Sequence, residues 1–357
     1  MKNIAIHTTC KKLLADVFTP VGIYLRLRDR FRDTVLLESS DHHAAENSWS
    51  FIGIHAIGGM EITSLKSIEF KLPGQKPTRQ DISNTTQVPQ LLFDFMNRFE
   101  VTGDHKEARF AQGLYGYTTY DAVQFFDTIQ LGNPDSQLTA PFSRLSSRDS
   151  LLPTPGPLLP ASNSLLPSPD SLLPTIPLMR YRLYQYVIAI NHHKDELYLC
   201  ENTIAGIESE LQAVESLIRS KDVPVFPFKI CEEESSNCTN EEYMEMVKKG
   251  ISSCLRGDVF QIVLSRRFQQ SFTGDEFNVY RALRNINPSP YLFFFDYGDY
   301  KLMGSSPESQ IIIKNGKAIV HPIAGTFKRT GDDETDHLEA ERLLKDAKEN
   351  AEHVMLV

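Results

Sequence analysis

The sequence is poor in the features that would carry a chain into a membrane or onto nucleic acid. No apolar run reaches the roughly 18 residues that a membrane-spanning helix needs. Positive charge is the minority, 37 Lys and Arg against 46 Asp and Glu for a net charge of −9, so no basic surface for phosphates is expected. The opening MKNIAIHTTCKKLLADVF lacks both the apolar h-region and the small-residue cleavage site of a secretory leader. Cysteine is scarce at 5, an odd number without C-x-x-C spacing, and the 10 histidines form no H-x-x-H or H-E-x-x-H group, which argues against a zinc enzyme. Cys231 and Cys238, in CEEESSNC, could close a disulfide loop but are read as reduced surface thiols, and a cytoplasmic location is expected. Walker-type loops, G-x-S-x-G elbows and G-x-G-x-x-G turns are missing too.

What remains is an ordinary apolar content of 41% over 357 residues, enough for two or three domains or one large one. TVLLESS and SWSFIGIHAIGGMEI predict short strands, GLYGYTTYDAVQFF tight strand packing, and RYRLYQYVIAINHHKDELYLC two strands joined at NHHKDE. IESELQAVESLI, EEYMEMVKKGISSCL and FNVYRALRNI have helical spacing, the second with Thr239 or Asn240 as N-cap. GDVFQIVLSRRF predicts a turn and a strand. YLFFFDY, YKLMGSS, SQIIIKNG and KAIVHPIAG predict four more strands, with an N-G hairpin at KNGK. LEAERLLKDAKENAEHVMLV predicts one closing helix. The mixture is α+β, without regular β-α alternation.

Residues 133–175 stand apart. Leu-Leu followed by proline begins at Leu151, Leu158, Leu165 and Leu172, a heptad of leucines that the prolines bar from forming a continuous helix. An extended, partly polyproline-like insertion is expected, a recruitment motif being the less favoured alternative.

Chemistry concentrates in the last third. Glu349 and Glu352 lie three apart on a helix and share a face, an arrangement that can hold Mg2+ but is also common on plain surface helices. Gly325 and Thr326 in VHPIAGT could offer backbone N–H groups and a hydroxyl to a substrate carboxylate, or form a simple turn. GSSPE, from Gly304 to Glu308, could line a pocket or cap a turn.

Taken in order and spacing, GDVFQIVLSRRF, NPSPYLFFFDY, GSSPE, HPIAGTFKR and KENAEHVMLV resemble the chorismate-utilising enzymes, whose layered antiparallel sheets and flanking helices are therefore the expected fold. Upstream, LLESS, SFIG and GLYGYTTYD resemble the N-terminal region of anthranilate synthase component I. The resemblance implies residues 1–132 and 176–230 as that N-terminal region and 231–357 as a chorismate-binding catalytic domain. Gln261 stands where isochorismate-type relatives carry a lysine that activates water; ammonia has a free lone pair and needs no such base. Ala324 replaces the nucleophilic lysine of many aminodeoxychorismate synthases. Both favour an anthranilate synthase, a carbon–oxygen lyase, with aminodeoxychorismate synthase component I as the alternative. The resemblance further implies Gln261 and Thr326 in catalysis, Gly325 and Thr326 against chorismate, Glu352 as a ligand of Mg2+ and Glu349 beside it. It implies an allosteric tryptophan site at Glu38, Ser39, Pro290, Tyr291 and Leu292, and ammonia delivered by a separate glutamine amidotransferase subunit. The family pattern continues beyond MLV with further metal and chorismate residues, and the last helix carries no cap. A C-terminally truncated, inactive chain is therefore expected, with a non-catalytic remnant that binds tryptophan or the partner subunit as a further alternative.

Overall fold

The computed structural model describes residues 3–39, 48–131 and 176–357. The Leu-Pro insertion lies outside the described residues.

Helix α1 (Pro20–Leu27) follows strand β1 (Ile4–Leu14) and starts where the helical signals place it, Thr19 Oγ1 accepting from Gly22 N with proline at the first position. Strands β2 (Thr34–Glu38) and β3 (Trp49–Ser64) follow, then β4 (Ser67–Lys71), β5 (Thr78–Asp81), helix α2 (Val88–Met96), β6 (Phe99–Gly103) and β7 (Tyr115–Thr118). Beyond the insertion come β8 (Met179–Asn191), β9 (Glu196–Thr203) and helix α3 (Leu211–Arg219). The expected turn between β8 and β9 is held by Asn191, whose Oδ1 accepts from His193 N and Lys194 N.

β10 (Phe228–Ile230), β11 (Ser235–Ser236), helix α4 (Asn240–Arg256), β12 (Phe268–Gln269) and β13 (Phe272–Gly274) begin the second half. Of the two expected caps, Thr239 rather than Asn240 opens α4, completed into a capping box by Glu242, and the helix stops at Gly257 in the left-handed conformation. Helix α5 (Phe277–Ile286), β14 (Tyr291–Asp296), β15 (Lys301–Ser306), β16 (Ile312–Lys314), β17 (Lys317–Ile319), α6 (Asp333–Lys345) and α7 (Ala347–Leu356) complete the chain. The KNGK hairpin joins β16 and β17, with Asn315 and Gly316 both at positive φ.

One large sheet runs in the order β15-β14-β2-β3-β8-β9-β1-β6, with β4 and β5 added beside β3 and β7 beside β8. Its ladders are antiparallel except for β1 with β6. β3 is long because it bends: register slips between Ala56 and Gly58, and His55 takes φ 60°. Its two halves thereby pair with β2 and with β4 while both stay on β8. Gly59 and Gly116 hug β8 so closely that a Cβ on either would strike the Tyr181 or Arg180 carbonyl.

Alternation along the strands sends Leu36, Ile52, Ile188 and Phe294 to one face, where α1, α3 and α5 cover them. An aromatic knot ties α1 to α5 there: the Tyr24 and Phe294 rings lie 5.0 and 4.9 Å from Phe277, and Tyr280 lies 5.5 Å from Phe294. At its rim Arg28 donates twice to the Asp275 carboxylate, at 2.9 and 2.6 Å, and Asp275 also accepts from Phe277 N at the start of α5. The opposite face carries Val35, Tyr184, Val187 and Phe295.

Three local expectations need correction. GDVFQIVLSRRF is strand only at its last residue, Phe268, which pairs with Ser236; residues 258–267 form no ladder among the described residues, and Phe260 is 94% exposed. GLYGYTTYDAVQFF is strand only at Tyr115–Thr118 and then a 3-10 turn, Tyr120–Phe125. The single closing helix is two, because Asp346 leaves helical dihedrals and its carboxylate caps Lys348 N and Glu349 N instead. The sequence also hid a covalent link: Cys10 and Cys200 are register partners on β1 and β9 and their sulfurs are bonded, whereas Cys231, Cys238 and Cys254 are free. No described helix is long and apolar enough to cross a membrane.

The Arg28–Asp275 pair generates a prediction. Burial pushes the Asp275 carboxyl up, but the Arg28 hydrogen bonds, Phe277 N–H and the Arg28 charge together hold it below its ordinary value. A depressed carboxylate stabilises the fold above its ordinary pKa of about 3.9, and that contribution is lost as pH falls through the depressed value. Asp275→Asn strands a buried guanidinium and should cost about 3–5 kcal/mol in urea unfolding at neutral pH. The variant's stability should also fall less than the parent's on acidification.

Candidate functional site

The β2–β14 ladder brings two distant sequence motifs together. Register places Glu38 of LLESS directly opposite Leu292 of NPSPY, so their side chains share a face. The Glu38 side chain is 3% exposed. Its Oε2 accepts from Tyr280 Oη at 2.7 Å and forms an ion pair with Arg284 Nε at 3.1 Å, both side chains reaching over from α5. Its Oε1 is buried and has no hydrogen-bond partner among the described residues. A carboxylate oxygen left this way is an acceptor waiting for a donor.

Ser50 is fully buried on β3, two residues along from Ile52, and its Oγ lies 2.7 Å from His192 Nε2. Ser289 in the NPSP turn sits 2.7 Å from the Ser305 hydroxyl, which in turn donates to Asn287 O at 2.6 Å. The turn that delivers Leu292 is thus pinned to β15. Of the five residues expected at an effector site, Glu38 and Leu292 face one another and are buried. Ser39 and Pro290 lie half-buried at the adjoining strand ends, and alternation turns Tyr291 to the other side, where it is 42% exposed. Tyr280 and Arg284 were missed from sequence, although their spacing of four on a predicted helix already put them on one face.

The other expected residues are less gathered. Gln261 and Thr326 are exposed on irregular segments. Gly325 receives the Glu349 carboxylate where a Cβ would otherwise stand, so the HPIAGT segment and α7 are in contact. Glu349 and Glu352 are both half-buried on one face of α7. No cluster of three or more possible metal-ligating side chains occurs among the described residues. The Glu349 carboxylate, against a backbone that only glycine allows so close, with Glu352 on the same face of the helix, would suit Mg2+, a hard cation that takes one or two protein carboxylates and completes its shell with water and substrate oxygens. GSSPE forms a turn: Ser306 Oγ accepts from Glu308 N and donates to Glu308 O, and Glu308 Oε1 accepts from Ile323 N.

Residues 161–357 match the family model of chorismate binding enzymes, and the chain belongs to that family. Within it, the chain is similar to anthranilate synthase component 1 of Aquifex aeolicus, 29% identical over 100% of this chain and 66% of that protein. Its fold matches that of anthranilate synthase component I from Streptococcus pneumoniae, with a TM-score of 0.54 and 23% identity over 97% of this chain and 66% of the other. The menaquinone-specific isochorismate synthase MenF of Escherichia coli gives the same TM-score of 0.54 at 13% identity, over 99% and 63%. The chain therefore spans just under two thirds of the length of these relatives.

Burial pushes the Glu38 carboxyl above its ordinary value, against the Tyr280 hydrogen bond and the Arg284 charge. Ionised Glu38 thus weighs against folding. That cost is absent below the ordinary carboxylate pKa of about 4.3 and complete once pH passes the raised value. Glu38→Gln keeps an acceptor for Tyr280 and should raise the melting temperature at neutral pH, the gain disappearing below about pH 4. A lower melting temperature at neutral pH would mean that the Arg284 pair outweighs desolvation.

Proposed function

We propose that this chain is the effector-binding and partial chorismate-binding portion of an anthranilate synthase large subunit. The reaction on this reading is chorismate plus ammonia to anthranilate plus pyruvate, with ammonia supplied by a glutamine amidotransferase subunit and tryptophan as feedback inhibitor. The observation that carries it is Glu38: a buried carboxylate, set opposite Leu292, with one oxygen satisfied by Tyr280 and Arg284 and the other free to accept from an ammonium. An amino acid docked there would place its side chain among the apolar groups of the same face.

Gln261 and Ala324 support the choice of reaction, since neither can serve as the base that water needs or as a nucleophile on the ring. Glu352, with Glu349 beside it, would hold Mg2+. When bound, the cation would supply positive charge to the substrate carboxylate. Gly325 would let the substrate approach the backbone, and Thr326 would offer it a hydroxyl. Gln261 and Thr326 stand exposed on irregular segments. On this reading the chain by itself binds the effector without turnover.

Calorimetric titration of the folded chain with L-tryptophan should give saturable binding at one site. Glu38→Gln should weaken it by about 10–100-fold, the value of a hydrogen bond to a charged group. A folded chain that ignores tryptophan would overturn the regulated reading. Anthranilate fluorescence from chorismate, Mg2+ and ammonium at alkaline pH would overturn the lack of turnover and establish the reaction. Aminodeoxychorismate or isochorismate as the product would instead select a different member of the family.

A further inference from the structure

A hollow away from Glu38 opens where the turn between α1 and β2 meets the bend of β3 and the end of β4. It encloses about 380 Å3, and Arg30, Arg32, Lys71 and His55 line it together with Asp33 and Glu210. A smaller hollow of about 70 Å3 adjoins it, sharing Asp33, Ala56 and Lys71 and reaching Arg182 and Glu61. Asp33 is engaged by Arg182 at 3.2 Å, and Glu61 by Arg180 and Arg182 at 2.7 and 3.0 Å. Among the described residues, Arg30, Arg32 and Lys71 have neither an ion pair nor a side-chain hydrogen bond, and Glu210 is the only acid of the larger hollow in that condition.

Two further observations single out this place. Asp33 and His55 both take left-handed backbone dihedrals, φ 52° and 60°, which are uncommon outside glycine and tend to persist where a function uses them. The imidazole of His55 lies near Phe31 and Tyr186, with ring centroids 6.2 and 6.3 Å away, and its Nδ1 is buried with no hydrogen-bond partner among the described residues. The bulge at Ala56–Gly58 is what re-aims the strand there.

We propose that this hollow binds a small phosphate monoester. Two guanidinium forks, an ammonium and an imidazole N–H supply donors and positive charge against one uncommitted carboxylate in the hollow itself, Glu210, and one in the adjoining hollow, Glu69, which suits a compact dianion whose oxygens only accept. The volume leaves room beside the phosphate for an organic body of a few heavy atoms, with Glu210 placed to accept from its hydroxyls. The site shares no residue with the Glu38 cluster, so it stands or falls independently of the function proposed above.

The test titrates the full chain with inorganic phosphate and with glycerol 3-phosphate, in buffer holding physiological chloride. Calorimetry would read affinity, and 15N NMR would read the His55 imidazole. Saturable binding, a shift at His55, and at least a tenfold loss of affinity in Arg30→Ala/Arg32→Ala are expected, with Lys66→Ala as an unaffected control. Both arginines are exposed, so the double variant should melt with the parent. Glycerol 3-phosphate should bind more tightly than phosphate alone. Absence of binding, binding that the double variant retains, or a response that chloride abolishes would overturn the proposal.

Discussion

Strand β14 must find β2 across most of the chain, and nearly everything of functional interest depends on that antiparallel match. Five register pairs, from Leu292 with Glu38 to Asp296 with Thr34, join the second half of the sequence to the sheet built by the first. Once they form, α5 has one place to lie, over Phe294 and Leu36, and its Tyr280 reaches a carboxylate 242 residues away in sequence. The Arg28–Asp275 pair then fixes the start of that helix. A slip of one residue in the ladder would turn Glu38 and Leu292 to opposite faces and dissolve the cluster.

The separation of the two faces explains why a polar site can sit inside an apolar sheet. Glu38 lies at the end of its strand, where the ladder gives way to loop, and the burial that raises its pKa is offset by donors from a neighbouring helix. Arg284 is 44% exposed and keeps its charge largely in water, so it can hold Glu38 at modest desolvation cost. The arrangement is polar only where it can be satisfied, save for one carboxylate oxygen.

Much of this was legible in the sequence. The strands of the first half announced themselves by β-branched and aromatic residues between glycines and serines, the start of α4 by Thr239 or Asn240, and the hairpin by Asn315 and Gly316. These signals are local: neighbours in the sequence satisfy them. Pairings that depend on remote partners were not legible. Nothing in IAIHTTCKKLL indicates that it lies parallel to FEVTG, or that Cys10 meets Cys200. GDVFQIVLSRRF reads as a strand because its composition suits the interior of a sheet, yet a strand exists only beside another strand. The cluster around Glu38 was half visible: Glu38 and Leu292 came from the resemblance, whereas Tyr280 and Arg284 required the knowledge that α5 packs over β2.

Burial stops abruptly along the chain. Tyr297 is the last buried residue, and from Gly298 to Val357 every side chain is at least partly wet. Amide protons should therefore fall into two populations. Those of β3 and β8, locked in ladders on both sides, would exchange with solvent only when the whole sheet opens. Those of α6 and α7 need no such event; each helix can fray and re-form on its own while the sheet stays intact. The molecule thus combines a cooperative body with an appendage whose order is set locally, turn by turn.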